Sequence, residues 1–280
     1  MLFRRIEKAT VKRGVRIGVF GSWGVGKTHF VCTFPDPIYI IDTEFGSEPV
    51  TTKFADKKEI YTMDAVYAEN GIVDPIESLK LVEEAFKELK DVEYGTIAVD
   101  SVTNIWKWLG IWLDDVATRR YKKTGEIARF EWGKANDRYI KMILSLLHKR
   151  NVHVVLTSHE TNLYDAQGNP LPIFVPRWQS STPHWVDFLV RIYWKDVQIG
   201  AVKKKQRMFS IEKCRFGELK TFEYTDFTYD TLMEVLEREL GVRIVCEKPG
   251  TDGEGSTEDG EREAKPTQFG VAPIAGGSAK

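Results

Sequence analysis

The sequence predicts an α/β fold with a doubly wound, mainly parallel sheet and an antiparallel C-terminal edge of β-hairpins. Between residues 16 and 157, short apolar runs alternate with segments of helical periodicity, which is typical of βαβ units. A glycine-rich stretch joins the first strand to the first helix. After residue 186, apolar and polar residues alternate in closely spaced segments, as in hairpins.

The predicted elements follow in chain order. Parallel strands are expected near residues 16–20, 38–41, 59–63, 94–100 and 152–157, and helices near 27–33, 75–89, 102–118 and 135–149. Asp74 and Pro75 mark a helix start, because Asp caps helices and Pro fits their first turn. Loops are expected at 119–134 and 162–183, hairpin strands at 186–194, 199–202, 208–214 and 221–224, and a closing helix at 230–240.

Composition indicates a soluble, cytoplasmic protein, within host cytoplasm if the source is viral. The 280 residues are 42% hydrophobic and 29% charged, and no apolar run approaches the roughly 18 residues of a membrane span. The N-terminus lacks the apolar stretch of a signal peptide. Three scattered cysteines form no C-x-x-C pair, which argues against a disulfide framework and a zinc site.

The chain divides into a predicted core, residues 1–246, and a tail, residues 247–280. The tail holds seven acidic and four basic residues among Gly, Ser and Pro, so it is expected to be disordered. The net charge of −1 argues neither for nor against a nucleic-acid partner.

Residues 21–28 fit the phosphate-binding pattern G-x-x-x-x-G-K-[ST]. Its glycines let the backbone N–H groups point inward, and the following helix directs its positive end at the same cavity. Lys27 is expected to reach the β- and γ-phosphates, and Thr28 to bind Mg²⁺. The alternative is a glycine-rich turn before a helix. The predicted nucleotide contacts in this loop are Gly21, Ser22, Trp23, Gly24, Val25, Gly26, Lys27 and Thr28.

Carboxylates follow two of the predicted strands. Asp100 ends an apolar strand facing the loop, which suits Mg²⁺ coordination, although it could instead cap the next helix. The next residue is Ser101 rather than Glu, so a base that activates water must come from elsewhere. Glu44, just past the second strand on the same rim, is the best candidate. Asp42 either supports the turn or binds a metal-bound water.

The fifth strand ends in Thr157-Ser-His-Glu160 on the same rim. His159 is a candidate sensor that passes the presence of the γ-phosphate to the following loop. A structural or surface role is the alternative for a single histidine. Glu160 is the rival general base.

Two segments combine cations with aromatic residues, as single-stranded nucleic-acid sites do. The first contains Arg119, Arg120, Tyr121, Lys122, Lys123, Arg129, Phe130 and Trp132, and the second Tyr164, Phe174, Arg177, Trp178, His184 and Trp185. The alternative is that these rings pin the loops to the body of the protein. Lys203-Lys-Lys205 is interpreted as a solvated hairpin tip that could also meet phosphate.

Together these residues resemble the RecA superfamily over about residues 12–225. The motifs that carry the resemblance are the P-loop, Ile41-Asp-Thr-Glu44, Val99-Asp-Ser-Val102 and Leu156-Thr-Ser-His159, in that order. The most similar group is the compact phage-type and archaeal RecA-like ATPases linked to single-strand annealing and recombination. His159 stands where RecA has Gln.

The resemblance implies an ATPase that uses ATP and Mg²⁺ and is stimulated by single-stranded DNA. It also implies a homo-oligomer with nucleotide at the subunit interface, where Lys213 and Arg215 would reach a neighbouring subunit's nucleotide. A single-strand-binding protein is a further candidate partner.

Two other functions stay open from the sequence. A nucleotide or small-molecule kinase would use residues 119–134 as a lid, and a scaffold would bind nucleotide without hydrolysing it. A GTPase is disfavoured because no N-K-x-D signature occurs.

Overall fold

A nine-stranded sheet forms the centre of the computed structural model, which describes residues 10–121, 129–199 and 202–246. The strands are β1 Thr10–Val11, β2 Arg16–Gly21, β3 Ile38–Asp42, β4 Ile60–Asp64, β5 Gly95–Asp100, β6 Val152–Tyr164, β7 Pro170–Pro176, β8 Phe188–Ile199, β9 Val202–Cys214, β10 Glu223–Tyr224 and β11 Arg243–Ile244. The helices are α1 Lys27–Val31, α2 Glu48–Thr51, α3 Pro75–Glu88, α4 Val102–Tyr121, α5 Arg129–Leu147, α6 Thr182–Trp185 and α7 Tyr229–Val235, with a π-helical turn over Leu236–Leu240.

The sheet has the order β10-β9-β8-β2-β6-β5-β3-β4, and β7 pairs with the far end of β6. Every pair from β8 to β4 is parallel, whereas β6–β7, β8–β9 and β9–β10 are antiparallel. Outside this sheet, β1 pairs with β11 in parallel. The structure confirms the predicted α/β class, with a mainly parallel sheet and an antiparallel C-terminal edge.

Alternating strand residues feed two hydrophobic clusters, one on each face of the sheet. On β5, Ile97 and Val99 pack with α3, α4 and α5, whereas Ala98 faces α1 and α7. Successive residues of a strand point to opposite faces, so a strand covered on both faces is apolar throughout. The helices are thus divided between the faces, as in a doubly wound fold.

The carboxyl ends of the parallel strands meet at one edge. Gly21 is in register with His159, and Asp42 with Asp100. The predicted helix start is also confirmed, since the Asp74 side chain accepts hydrogen bonds from the N–H groups of Ile76 and Glu77, both at 3.0 Å. The polar residues predicted at the strand ends therefore share one rim.

Two predicted loops are wrong in part. Most of the segment 119–134 is helical, because α4 continues to Tyr121 and α5 begins at Arg129; residues 122–128 lie outside the described part. Within this segment, Arg119 is exposed on α4 and pairs with Asp115 at 3.0 Å.

The segment 162–183 contains a hairpin instead of a long loop. β6 extends to Tyr164 and pairs with β7, with Asn162 in register with Phe174. The Asp165 side chain accepts backbone hydrogen bonds from Gln167 and Asn169, which closes the turn. We call residues 160–176 the β6–β7 arm.

Of the strand predicted at 199–202, Ile199 ends β8 and Val202 begins β9, while residues 200–201 lie outside the described part, so this strand stays a prediction. Lys203, Lys204 and Lys205 belong to β9 and are exposed. The predicted tail, 247–280, lies outside the described residues, so the domain boundary stays a prediction. Within the described residues, no helix is long and apolar enough to cross a membrane.

Candidate functional site

The glycine-rich loop leaves the sheet at the end of β2 and leads into α1. Gly24 and Gly26 have φ values of +70° and +99°, a region that other L-residues rarely adopt. The buried Lys27 side chain folds back over the loop, and its Nζ donates to the carbonyls of Gly21 at 3.1 Å and Ser22 at 2.8 Å. The loop and its lysine thus form a compact cradle whose ammonium group is held in place.

Burial lowers the pKa of Lys27, and the neighbouring carboxylates of Asp100, Glu44 and Glu160 partly offset this effect. Asp100 ends β5, Glu44 follows the end of β3, and Glu160 lies within β6. The ammonium group therefore stands between the loop and a cluster of acidic side chains, where a bound polyphosphate would supply further negative charge.

Asp100 lies directly beside the loop. Its Oδ2 accepts a hydrogen bond from Thr28 Oγ1 at 2.6 Å, and its Oδ1 accepts one from Thr157. Burial raises the pKa of Asp100, while the two hydroxyl donors act in the opposite direction. The contact of Thr157 with Asp100 was not predicted from the sequence, although Thr157 follows the apolar run of the neighbouring strand.

The Thr28–Asp100 pair suits Mg²⁺, which prefers oxygen ligands and usually takes only one or two from the protein beside nucleotide phosphates. The Thr28 hydroxyl would be the direct ligand, and the Asp100 carboxylate would hold a metal-bound water. Among the described residues, no group of three or more His, Cys, Asp or Glu side chains could hold a metal ion. The fit to Mg²⁺ rests on the hydroxyl–carboxylate pair alone.

Glu44 is brought into the same cluster. Its Oε1 accepts hydrogen bonds from Ser101 Oγ and lies beside His159 Nε2, each at 2.5 Å. Burial is the largest effect on the pKa of Glu44 and raises it, but the contacts with His159 and Ser101 and the charge of Lys27 together lower it. In the sequence, Ser101 is notable because it stands directly after Asp100 in place of a Glu. In the structure it orients the candidate base.

The turn that carries Glu44 is held by hydrogen bonds to the side chain of Asp42. The Asp42 carboxylate accepts hydrogen bonds from the N–H groups of Glu44 at 2.8 Å and Ser47 at 2.7 Å. Two roles were open for Asp42, support of the turn and binding of a metal-bound water. These hydrogen bonds favour support of the turn. Thr43 Oγ1 donates to the Ser101 carbonyl at 3.0 Å and accepts from its N–H at 2.8 Å, which joins the ends of β3 and β5.

The rival base, Glu160, is held in an ion pair. Its Oε2 accepts from Arg191 Nε at 3.1 Å, and the guanidinium group also lies 4.1 Å from the ring centre of Phe174. The pair is largely buried, so Glu160 would have to break it to act on water. Glu44 is therefore the better-placed carboxylate.

The cations predicted to contact DNA have different positions. Arg177 is exposed at the end of the β6–β7 arm, and Arg119 is exposed on α4 with Asp115 as partner. Arg120 lies on α4 and Arg129 begins α5, while Lys122 and Lys123 lie outside the described residues. The assignment to DNA stays a prediction for all six.

One aromatic residue of the second predicted segment belongs to the core. Trp178 is 8% exposed, and a Cβ atom on Gly18 would lie 2.4 Å from its ring. Its alternative role, pinning the segment to the body, is therefore the one that the structure shows. Leu163, Tyr164 and Ile173 on the β6–β7 arm remain exposed.

Lys213 and Arg215 lie far from the loop of their own chain. Lys213 Nζ donates to the carbonyls of Pro183 and Val186, and Arg215 pairs with Asp187 at 3.4 Å. Asp187 N donates to the carbonyl of Arg16, at the opposite end of β2 from the P-loop. Both cations thus have internal partners, and their contact with a neighbouring subunit's nucleotide stays a prediction.

Two further residues surround the loop. Trp23 is 89% exposed at the loop's tip. Arg207 on β9 contacts Gly26, because a Cβ atom there would lie only 2.6 Å from its Nη1. This contact could not be predicted from the sequence, in which Arg207 is one more polar residue of the antiparallel edge.

Comparison with known proteins identifies an ATPase-type domain. A family model described as an AAA domain matches residues 13–217, nearly three quarters of the chain. One matching solved structure comes from a study of a prototypical ATPase from the type III secretion system of pathogenic bacteria. It shares 17% identity over 65% of this chain, with a TM-score of 0.41. The match spans 52% of that ATPase chain. A comparison with curated proteins finds no match. The family match supports nucleotide binding and hydrolysis.

Proposed function

The chain belongs to the AAA domain family, and we propose that it is an Mg²⁺-dependent, RecA-like ATPase that acts on single-stranded DNA during recombination or annealing. The observation that carries the catalytic half is the cluster in which Glu44 meets Ser101 and His159 beside Lys27. A hydrolytic site needs a phosphate cradle and an ionised carboxylate aimed at water, and this cluster offers both.

Within this proposal, each residue has a distinct role. The loop and Lys27 hold the β- and γ-phosphates of ATP, and Thr28 with Asp100 would hold Mg²⁺, which neutralises phosphate charge when bound. Glu44 orients and activates the water. Its Oε1 already faces Ser101 and His159, whereas its Oε2 accepts no hydrogen bond from the described residues, which leaves this oxygen to accept from the water.

His159 links this chemistry to the β6–β7 arm. Its side chain contacts Glu44 at 2.5 Å, and its carbonyl accepts a hydrogen bond from Arg177 N at 2.8 Å. A γ-phosphate that displaces the imidazole from Glu44 would therefore act on residues at the base of the arm. This continuous path supports the sensor role proposed for His159.

The β6–β7 arm supports the single-stranded DNA half. It carries an exposed aromatic ring at Tyr164 and another, partly covered by Arg191, at Phe174. Arg177 at its end is exposed and has no carboxylate partner in the described part of the chain. Rings that stack on bases beside a cation that pairs with phosphate are the requirements of such a site.

The oligomer is part of the same proposal. An indole that is 89% exposed on the nucleotide loop, as at Trp23, supports a contact between this loop and a neighbouring copy. The phage-type assignment follows from the resemblance of the strand-end motifs.

Steady-state ATP turnover of the full chain, measured with and without a single-stranded oligonucleotide, tests the proposal. We expect Mg²⁺-dependent turnover that the oligonucleotide stimulates. Replacing Tyr164 and Arg177 by Ala should remove the stimulation and leave basal turnover unchanged, whereas Arg238→Ala, at an exposed site on the π-helical turn, serves as the control. Turnover that ignores the oligonucleotide, together with no DNA binding in ATP, would contradict the DNA half alone.

A further inference from the structure

We propose that Arg207 binds the α-phosphate of the nucleotide, so that the P-loop is completed by a cation from β9. This inference rests on the proposed nucleotide binding. It adds a contact that neither the loop motif nor the family match assigns, and it gives a function to the part of the β8–β9 hairpin that runs past the P-loop.

The hairpin brings Arg207 to the loop. On β8, Arg191 is in register with Phe20, so the residues that follow it extend beyond the end of β2. Arg207 is in register with Trp194, in this extension. Its side chain shares a strand face with Phe209, which packs in the same hydrophobic cluster as Phe30 of α1. Arg207 is thus directed at the side of the sheet where α1 begins.

The guanidinium group lies against Gly26. A Cβ atom at this position would stand 2.6 Å from Nη1 and 3.6 Å from Cζ of Arg207. The absence of a side chain therefore serves two purposes at Gly26: it permits the φ of +99° and it lets the guanidinium group approach the loop backbone. A cation this close to a phosphate-binding loop is well placed for an anion held there.

Arg207 has no internal counter-ion among the described residues. Three other half-buried arginines, Arg13, Arg138 and Arg191, each pair with a carboxylate. The nearest aromatic contact of Arg207 is the Phe209 ring, with 5.7 Å between Cζ and the ring centre. An unpaired cation beside the loop leaves a positive potential that a phosphate can satisfy.

Lys27 and Arg207 occupy different sides of the cradle. Lys27 contacts the carbonyls of Gly21 and Ser22 and stands among the catalytic carboxylates, which places it at the β- and γ-phosphates. Arg207 instead acts on His29: burial is the main cause of the lowered pKa of His29, and the charge of Arg207 is the next. A phosphate chain that runs from Lys27 toward Arg207 therefore presents its α-phosphate to Arg207.

Calorimetric titration of the full chain with ATP, ADP, AMP and adenosine tests the assignment. We expect Arg207→Ala to weaken ATP, ADP and AMP binding by the same factor, on the order of tenfold, and to leave adenosine binding unchanged. Arg207→Lys should recover part of the loss, because it keeps the charge without the planar fork. Lys204→Ala removes a positive charge from the opposite face of the same hairpin and should have no effect. Thermal denaturation checks that each variant is folded.

Each other outcome overturns the assignment in a recognisable way. Unchanged AMP affinity in Arg207→Ala removes the α-phosphate contact. A loss shared by ATP and ADP alone then moves Arg207 to the β-phosphate, and a loss confined to ATP moves it to the γ-phosphate. If Arg207→Ala fails to fold, the same comparison is made with Arg207→Gln. A wild-type chain that binds neither ATP nor ADP contradicts the proposed function itself, which distinguishes that failure from failure at Arg207.

Discussion

His159 Nε2 lies 2.5 Å from Glu44 Oε1, although 115 positions separate the two residues in the chain. The contact spans the end of β5, because β5 lies between the strands that carry them. Ser101, at that strand end, donates to the same oxygen. The end of β5, the turn after β3 and the middle of β6 are thus joined through one carboxylate oxygen beside the phosphate loop.

Replacing His159 should change the pH dependence of turnover. The contact with His159 lowers the pKa of Glu44, so His159→Ala raises it toward its ordinary value. Because Glu44 acts in its ionised form, the acidic limb of kcat/KM should move to higher pH. The pH profile of kcat/KM is measured for wild type, for His159→Ala and for the control His148→Ala, which removes an exposed histidine away from the site. An acidic limb at the wild-type pH in His159→Ala would show that the contact does not control the pKa of Glu44.

Asp100→Asn tests the metal site. The change keeps the volume of a nearly buried side chain but removes the charge that would hold a metal-bound water. We expect turnover at fixed Mg²⁺ to fall on the order of 10- to 100-fold and the Mg²⁺ concentration for half-maximal turnover to rise. Asp64→Asn, at the end of β4, is the control. Equal Mg²⁺ dependence in wild type and Asp100→Asn would contradict the assignment.

The buried His153 predicts a stability that falls in mild acid. Burial lowers its pKa to about 4, and its Nδ1 accepts a hydrogen bond from Val15 N at 3.3 Å, which requires the neutral ring. Between the unfolded pKa of about 6.5 and the folded value, the unfolded chain binds more protons, so stability present above pH 6.5 is lost as pH falls toward 4. Urea unfolding should show a loss of up to about 3 kcal/mol over this range.

His153→Phe gives the control for this titration. The variant keeps an aromatic ring between Phe34 and Tyr229 but cannot bind a proton. Its free energy of unfolding should change less between pH 6.5 and 4 than that of the wild type. An identical pH dependence in both proteins would assign the acid sensitivity to other groups.

Asp187 should be a major contributor to folding stability. It is fully buried, its two carboxylate oxygens accept from Arg13 at 2.6 and 2.8 Å, and Arg215 and the N–H of Arg16 are further partners. Asp187→Ala leaves these cations without a counter-ion, which should cost about 3–5 kcal/mol of unfolding free energy.

The exposed Arg243–Glu237 pair offers the matched comparison for Asp187. Its contact distance is 2.6 Å, equal to that of Arg13 with Asp187, but both side chains are more than half exposed. Glu237→Ala should therefore cost less than about 1 kcal/mol in the same denaturant titration. Similar losses in the two variants would contradict the role given to burial.

The parallel core and the rim were predictable because local patterns determine them. The apolar strands flanking the P-loop, and the strand ends at Asp100 and His159, follow from periodicity and from the rule that carboxyl ends of parallel strands share an edge. The extension of β6 into an arm was not predicted, because its residues are polar and its pairing with β7 depends on a turn at Asp165.

Contacts between distant segments escaped prediction altogether. Nothing local shows that Arg207 meets Gly26 or that Lys213 and Arg215 are satisfied near Asp187. These contacts depend on the register of β8 and β9. The alternation of apolar and polar residues does not determine this register, because a shift by two residues keeps the same side chains on the same face.

Replacement of Glu44 by Gln, followed by measurement of ATP turnover and ATP affinity on the same preparation, tests the central claim most directly. Gln keeps the size of the side chain and can accept from Ser101, but it cannot take a proton from water. We predict that turnover falls on the order of 10²- to 10⁴-fold while ATP affinity stays within about threefold of wild type. A Glu44→Gln protein that hydrolyses ATP at the wild-type rate would contradict the account of this site.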